Sequence, residues 1–218
     1  MPTILCYGDS NTWGFDPSSI SDPYSRRFAP EVRWTGVMAR ELGAAYRVIE
    51  EGLNGRTTVH DDPIMPHRNG LAYLPACLQS HRPLDLVILM LGTNDLKQVF
   101  NLPVGEIAAG AGLLARHILQ SECGHAGRSP RLLLIGPAAT GNMEHLPDLA
   151  EKFPGAAERS RRFPACYSAL AESLGCAYLN AQDFVQPSLL DGLHWEATEH
   201  AALGIAIAKQ VRSMLPVA

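Results

Sequence analysis

Apolar residues gather along the chain in five short runs, Thr3–Tyr7, Tyr46–Glu50, Leu84–Leu91, Arg131–Ile135 and Cys176–Leu179, rich in β-branched and aliphatic side chains. Runs of this length predict strands. Leu84–Leu91 (LDLVILML) is apolar almost without a break, which suits a central parallel strand covered by helices on both faces. The intervals carry helical patterns over about Glu31–Leu42, Asn69–Gln79, Val104–Ser121, Ala156–Leu174 and Ala197–Leu215. In the last of these, Gly204, Ile207, Val211 and Met214 recur every three or four residues and define one buried stripe. Pro164 should kink or split its helix.

Strand and helix alternate throughout, so the expected fold is a three-layer α/β/α sandwich around a central five-stranded parallel sheet, with right-handed crossovers. Residues 1–218 are read as one domain, a size that one core can support. Two segments break the alternation, Asp16–Pro30 and Pro137–Gly155, both rich in proline, glycine and polar residues. They read as surface loops near the site, with no internal repeat or low-complexity tract elsewhere.

Composition narrows the function classes. Hydrophobic residues make up 46% and charged residues 18%, as in ordinary globular proteins. A formal net charge of −4 without a long basic run leaves no footprint for nucleic acid. No apolar stretch reaches the roughly 18 residues of a membrane span, and no signal-peptide pattern precedes Thr3. Cys6, Cys77, Cys123, Cys166 and Cys176 are odd in number and widely spaced, as expected for reduced thiols in a cytoplasmic protein, with no CxxC pair to suggest a metal.

In open α/β sheets ligands bind beyond the carboxyl ends of the strands, and four such ends join glycine to polar side chains. The first strand runs into Gly8-Asp9-Ser10-Asn11-Thr12, the second into Glu51-Gly52-Leu53-Asn54-Gly55-Arg56, the third into Gly92-Thr93-Asn94-Asp95; Asp191-Gly192-Leu193-His194 stands just before the last helix. Ser10 at a strand-to-helix turn would meet free N–H groups and a helix dipole. A serine hydroxyl needs a base. His194 can serve, and Asp191 can hold its other imidazole N–H and fix the tautomer. The backbone N–H groups of Ser10 and Gly55 with the Asn94 amide would form an oxyanion hole. Asp9, Thr12, Trp13, Asn54, Thr93 and Phe153 are candidate substrate contacts, and Trp13, Phe15 and Phe153 candidate apolar walls.

Each residue also has a plainer role. Asp9 or Ser10 could simply cap a helix, Gly55 could answer a positive φ, and Asn94 and Asp191-Gly192 could be turn residues. Conjunction outweighs these roles, because four strand ends together supply nucleophile, base, orienting acid and oxyanion donors.

The blocks GDSNTWG, GLNGRTT, GTND and DGLH resemble the four blocks of the SGNH (GDSL-type) hydrolases, named for their Ser, Gly, Asn and His. The resemblance implies a flavodoxin-like SGNH fold, a triad of Ser10, Asp191 and His194, and an oxyanion hole of Ser10, Gly55 and Asn94. RFAPEVRWTGVMARELG, VIEEGLNGRTT, YLPACLQSHRPLDLVILMLGTND and AKQVRSML are similar to the bacterial arylesterases that include a mycobacterial acyltransferase. That similarity implies hydrolysis of small aryl and alkyl esters, acyl transfer to alcohols, and a homo-oligomer, an octamer in the mycobacterial case. Ala138–Arg162 is the least similar stretch, and Asn54 stands where that acyltransferase has a smaller serine.

The expected protein is therefore a serine esterase taking a small ester and water or an alcohol, without cofactor, metal, nucleic acid or membrane partner. A carbohydrate deacetylase or a thioesterase of the same fold is the alternative, since fold and triad do not choose among esters. A flavodoxin-like mononucleotide-binding module is more distant, because it gives DGLH no role. A metallohydrolase is weaker still: HExxH is absent, and His60, Asp61 and Asp62 read as a solvated loop.

Overall fold

Every strand of the sheet follows from an apolar run. The computed structural model describes residues 1–217, and its strands are β1 (Thr3–Gly8), β2 (Arg47–Gly52), β3 (Leu86–Met90), β4 (Arg131–Gly136) and β5 (Ala177–Asn180). They pair in the order β2-β1-β3-β4-β5, all parallel. Ile4 lies beside both Val48 and Leu86, and Gly8 beside Gly52 and Met90, so the carboxyl ends of β1, β2 and β3 are level. The order reverses at β1, and the crevice between β1 and β3 is where such sheets place ligands.

Alternation along the strands feeds two separate cores. Leu5, Tyr7, Val87, Leu89, Leu132 and Leu134 face one side with α3 (Gly70–His81), α4 (Val104–Leu119) and α7 (Phe163–Leu174). Ile4, Cys6, Leu86, Ile88, Leu133 and Ile135 face the other, against α2 (Trp34–Leu42) and α8 (Ala197–Met214). This is the expected three-layer α/β/α sandwich. Each fully buried aliphatic side chain contributes about 1.5–3 kcal/mol relative to exposure. Gly204, Ile207 and Val211 of the stripe on α8 are buried, and Met214 packs partly buried at its end.

One local outcome follows the expectation at Pro164, and two differ from the sequence expectations. The helix expected over Ala156–Leu174 is two, α6 (Ala156–Ser160) and α7, because Pro164 sits in the first turn of α7, where no amide hydrogen is needed. The segment Pro137–Gly155 contains a helix, α5 (Pro147–Lys152), too short for its periodicity to register. α2 begins at Trp34, not Glu31, and its Trp34 N–H donates to buried His200 Nδ1 at 3.3 Å. Burial, aided by nearby His194 and Arg33, drives His200 down to about 3, so it stays neutral and can accept. Among the described residues no helix is long and apolar enough to cross a membrane.

Candidate active site

The first turn after β1 is tight. Asp9 caps α1 (Ser10–Trp13), accepting the Asn11 N–H at 3.0 Å, and Gly14 ends it in a left-handed conformation. One helical turn carries little macrodipole, so what Ser10 gains here is local: its own N–H has no protein acceptor among the described residues. Gly52, at the end of β2, lets α1 approach, since a Cβ there would lie 2.1 Å from the Trp13 nitrogen.

The segment after β5 brings the base. Asp191 is fully buried; its Oδ1 accepts the N–H groups of Leu193 and His194, both at 2.8 Å, and its Oδ2 lies 2.7 Å from His194 Nδ1. Burial would raise the Asp191 carboxyl, but the His194 ring and these two N–H donors outweigh it and hold the group below the usual range. It stays ionised. The other ring nitrogen, His194 Nε2, lies 2.9 Å from Ser10 Oγ, and Phe15 stacks on the imidazole with centroids 4.1 Å apart. Asn11 Nδ2 donates to the Leu193 carbonyl at 3.4 Å, tying the serine turn to the histidine loop.

Gly55 has φ +78°, a region open to glycine, and its N–H also has no protein acceptor among the described residues. Asn94, in the turn after β3, donates one amide hydrogen to the Arg56 carbonyl at 3.1 Å, leaving the second free. Asp95 is completely buried and accepts the Thr58 N–H and hydroxyl and His60 Nδ1. This hydrogen bond to Asp95 raises His60 above its ordinary value. Arg56 is buried over Tyr7, at 4.2 Å from the ring centroid, and donates to the Gly8 and Glu51 carbonyls. Arg56 and Asp95 together lock the ends of β1, β2 and β3.

These side chains surround a cavity of about 190 Å³. Ser10, Asn54, Gly55, Asn94 and His194 line its polar side, and Phe15, Ile20, Met65, Leu149, Phe153 and Leu193 its apolar side. Asp191 stands behind His194. Both segments that broke the strand–helix alternation contribute, the first through Ile20 and Ser25, the second through Leu149, Lys152 and Phe153.

Several sequence expectations do not reach this cavity. Asp9, Thr12, Trp13 and Thr93 are not in its lining. Asp9 and Thr12 are buried beneath the serine turn, where burial pushes the Asp9 carboxyl up to about 6. Trp13 packs under Arg27, 5.1 Å from its ring. The loop of His60, Asp61 and Asp62 is solvated only in part: Asp61 is exposed and His60 half-buried, but Asp62 Oδ2 forms a buried ion pair with Lys97 Nζ at 2.7 Å. Burial opposes this carboxylate, yet Lys97 and two backbone donors hold it at about 2. Arg56, Asp95 and Lys97 carry no assigned role in the sequence reading, and Asp62 appears there only as part of a solvated loop. Arg56 and Asp95 do sit inside the GLNGR and GTND blocks, and a charged residue beside an oxyanion donor is a signal that it will be buried with partners.

A hydroxyl, imidazole and carboxylate in relay, beside unengaged N–H donors at the carboxyl edge of a parallel sheet, form the arrangement of a serine acyl-hydrolase site. The chain belongs to the GDSL-like lipase/acylhydrolase family, whose model matches residues 6–202, and is an esterase/acylhydrolase of that family. It is similar to the Mycobacterium smegmatis aryl esterase, with 43% identity and TM-score 0.93 over 99% of this chain and 100% of that one. It is also similar to Est24, a carbohydrate acetylesterase from Sinorhizobium meliloti, with 40% identity and TM-score 0.94 over 99% and 100% of the two chains. A lipase/acylhydrolase from Enterococcus faecalis, 17% identical, shares the fold at TM-score 0.67 over 98% and 96% of the two chains. The comparison with curated proteins finds no match.

Proposed function

We propose that the protein hydrolyses small aryl and alkyl carboxylic esters through an acyl-enzyme on Ser10. The observation that carries this reading is the Ser10 Oγ–His194 Nε2 contact of 2.9 Å, continued to Asp191 at 2.7 Å, opening on a cavity of about 190 Å³. Ser10 Oγ attacks the ester carbonyl carbon while His194 Nε2 takes the hydroxyl proton. The carbonyl oxygen becomes an oxyanion held by the Ser10 and Gly55 N–H groups and the free Asn94 amide hydrogen. The tetrahedral intermediate collapses, and the alcohol leaves with the proton from His194. Water then attacks the acyl carbon with His194 again as base, releasing the acid and restoring the Ser10 hydroxyl. An alcohol attacking in place of water gives a new ester.

Cavity size supports a short acyl group, since a cavity of about 150 Å³ accommodates one benzene ring. Acyl transfer is favoured by the apolar wall of Phe15, Leu149, Phe153 and Leu193, which would hold an alcohol while limiting water. Time courses on phenyl esters of increasing acyl length, with and without added alcohol, test both parts. Acid from phenyl acetate, falling rates with longer acyl chains, and new ester when alcohol is present are expected. No acid from phenyl acetate would end the reading; acid with no new ester would end its transfer half.

A carbohydrate-acetylesterase reading has its own support in the polar rim of Ser25, Asn54 and Lys152, which suits a hydroxylated leaving group. A higher kcat/KM on acetylated sugars than on phenyl acetate would favour it.

A further inference from the structure

The two glutamates just before Gly52 at the end of β2 point to opposite faces of the sheet and meet different partners. Glu50 is held by Arg33 Nη1 at 2.6 Å, by Arg27 and by the Thr35 hydroxyl. Glu51 meets neither: its Oε1 lies 2.8 Å from His81 Nε2, and beside them lies the thiol of buried Cys77. Arg56 passes close by but donates to the Glu51 carbonyl, with its guanidinium over the rings of Tyr7 and Tyr73. Among the described residues His81 is the one ion-pair partner of the Glu51 carboxylate.

Cys77 and His81 are four residues apart on α3, so they share one helix face, and Glu51 reaches them from the edge strand. The carboxylate oxygen, sulfur and ring nitrogen all lie within 4.8 Å of one another. Zinc takes this mixed donor set, with bonds of about 2.0–2.3 Å that place tetrahedral ligands about 3.3–3.7 Å apart. Side-chain adjustments of about an ångström bring the three donors to that spacing. A cavity of about 610 Å³ lined by Glu51, Arg56, Asp61, His67 and Tyr73 adjoins the cluster at Glu51, with room for a water as fourth ligand on that side.

We propose that Glu51, Cys77 and His81 bind a Zn²⁺ ion that clamps the edge strand β2 to α3. On binding, Cys77 Sγ loses its proton to solvent and becomes the thiolate ligand, His81 coordinates through Nε2, and Glu51 exchanges its contact with His81 for the metal. The clamp closes the segment from Glu51 to Cys77, which carries Gly55. Its role is structural and does not depend on the Ser10 chemistry.

The test uses the full chain, stripped with a chelator and then titrated with Zn²⁺ and separately with Co²⁺. One equivalent should bind, Co²⁺ should develop the near-ultraviolet thiolate-to-metal absorption, and Zn²⁺ should raise Tm. Cys77→Ser should abolish the cobalt band, while Cys166→Ser and His194→Ala keep it. His81→Ala, at a half-buried position that a fold defect does not confuse, should weaken zinc by more than the roughly 10–100-fold that loss of an outer-shell partner costs, and should erase the Tm rise. A wild-type protein without stoichiometric binding, a cobalt band surviving Cys77→Ser, or a zinc response unchanged in His81→Ala would each overturn the site.

Discussion

Two cavities flank the loop Leu53–Arg56, and the smaller one is lined by the proposed nucleophile and base. The larger, of about 610 Å³, is lined by ionisable and aromatic side chains including Glu51, Asp61, His67 and Tyr73. The smaller, of about 190 Å³, has Ser10 and His194 in hydrogen-bond contact and two backbone N–H groups with no protein acceptor among the described residues. Volume and ionisable groups do not make an acyl-transfer site. Convergence does: each reacting group needs a second partner that fixes it, as Asp191 fixes His194 and the Arg56 carbonyl fixes Asn94.

The largest effect that would break this contrast is at the nucleophile. Ser10→Ala should cut kcat on phenyl acetate by about 10⁵-fold or more, measured with fold checked by circular dichroism; retained turnover would move the chemistry elsewhere. Asp191→Asn should cost about 10⁴-fold, because the amide favours the wrong imidazole tautomer. Asn94→Ala should lower kcat about a hundred- to a thousandfold with a smaller change in KM, seen in steady-state kinetics.

A subtler prediction sharpens the contrast through pH. Asp9, buried under the serine turn, is raised from 3.8 to about 6, so between those values the folded protein binds the extra proton. Its favourable contribution is complete below about pH 4 and is lost as pH rises through 6, amounting to at most about 3 kcal/mol. Asp9→Asn keeps an acceptor for the Asn11 N–H and cannot ionise. Thermal melts should show a higher Tm than wild type at pH 8 and no difference at pH 4. The smallest effect is on the other side of the loop, where His67→Ala should leave kcat/KM for phenyl acetate within about twofold, as for surface changes away from reacting groups.

Much of this was legible in the chain. All five strands lie within two residues of their expected runs: the central β1, β3 and β4, buried on both faces, must be nearly continuously apolar, while the partly exposed edge strands β2 and β5 keep shorter apolar stretches. The four blocks at the strand ends were legible for a related reason, as glycine and polar residues directly after apolar runs have few structural uses. Less was legible where identity and environment part company. Asp9, Thr12, Trp13 and Thr93 sit in or beside those blocks yet stay out of the cavity lining, because adjacency in sequence does not say which way a side chain points from a tight turn. Asp62 looked like a solvated acid, and only Lys97, 35 residues away, takes it into the interior. The turn of α5 was missed because six residues carry too little periodicity.

What the sequence determined by itself is local: the period of the apolar residues, hence strands and helices, and the residue types offered at each strand end. The tertiary structure decided what is long-range. Ser10 and His194 are 184 residues apart, Asn94 meets Arg56 across 38, and Glu51 meets His81 across 30. Such contacts depend on strand order and register, which bring the ends of β1, β2 and β3 level. A hydroxyl, an imidazole or a carboxylate acquires its chemistry only when burial and a fixed partner set its proton.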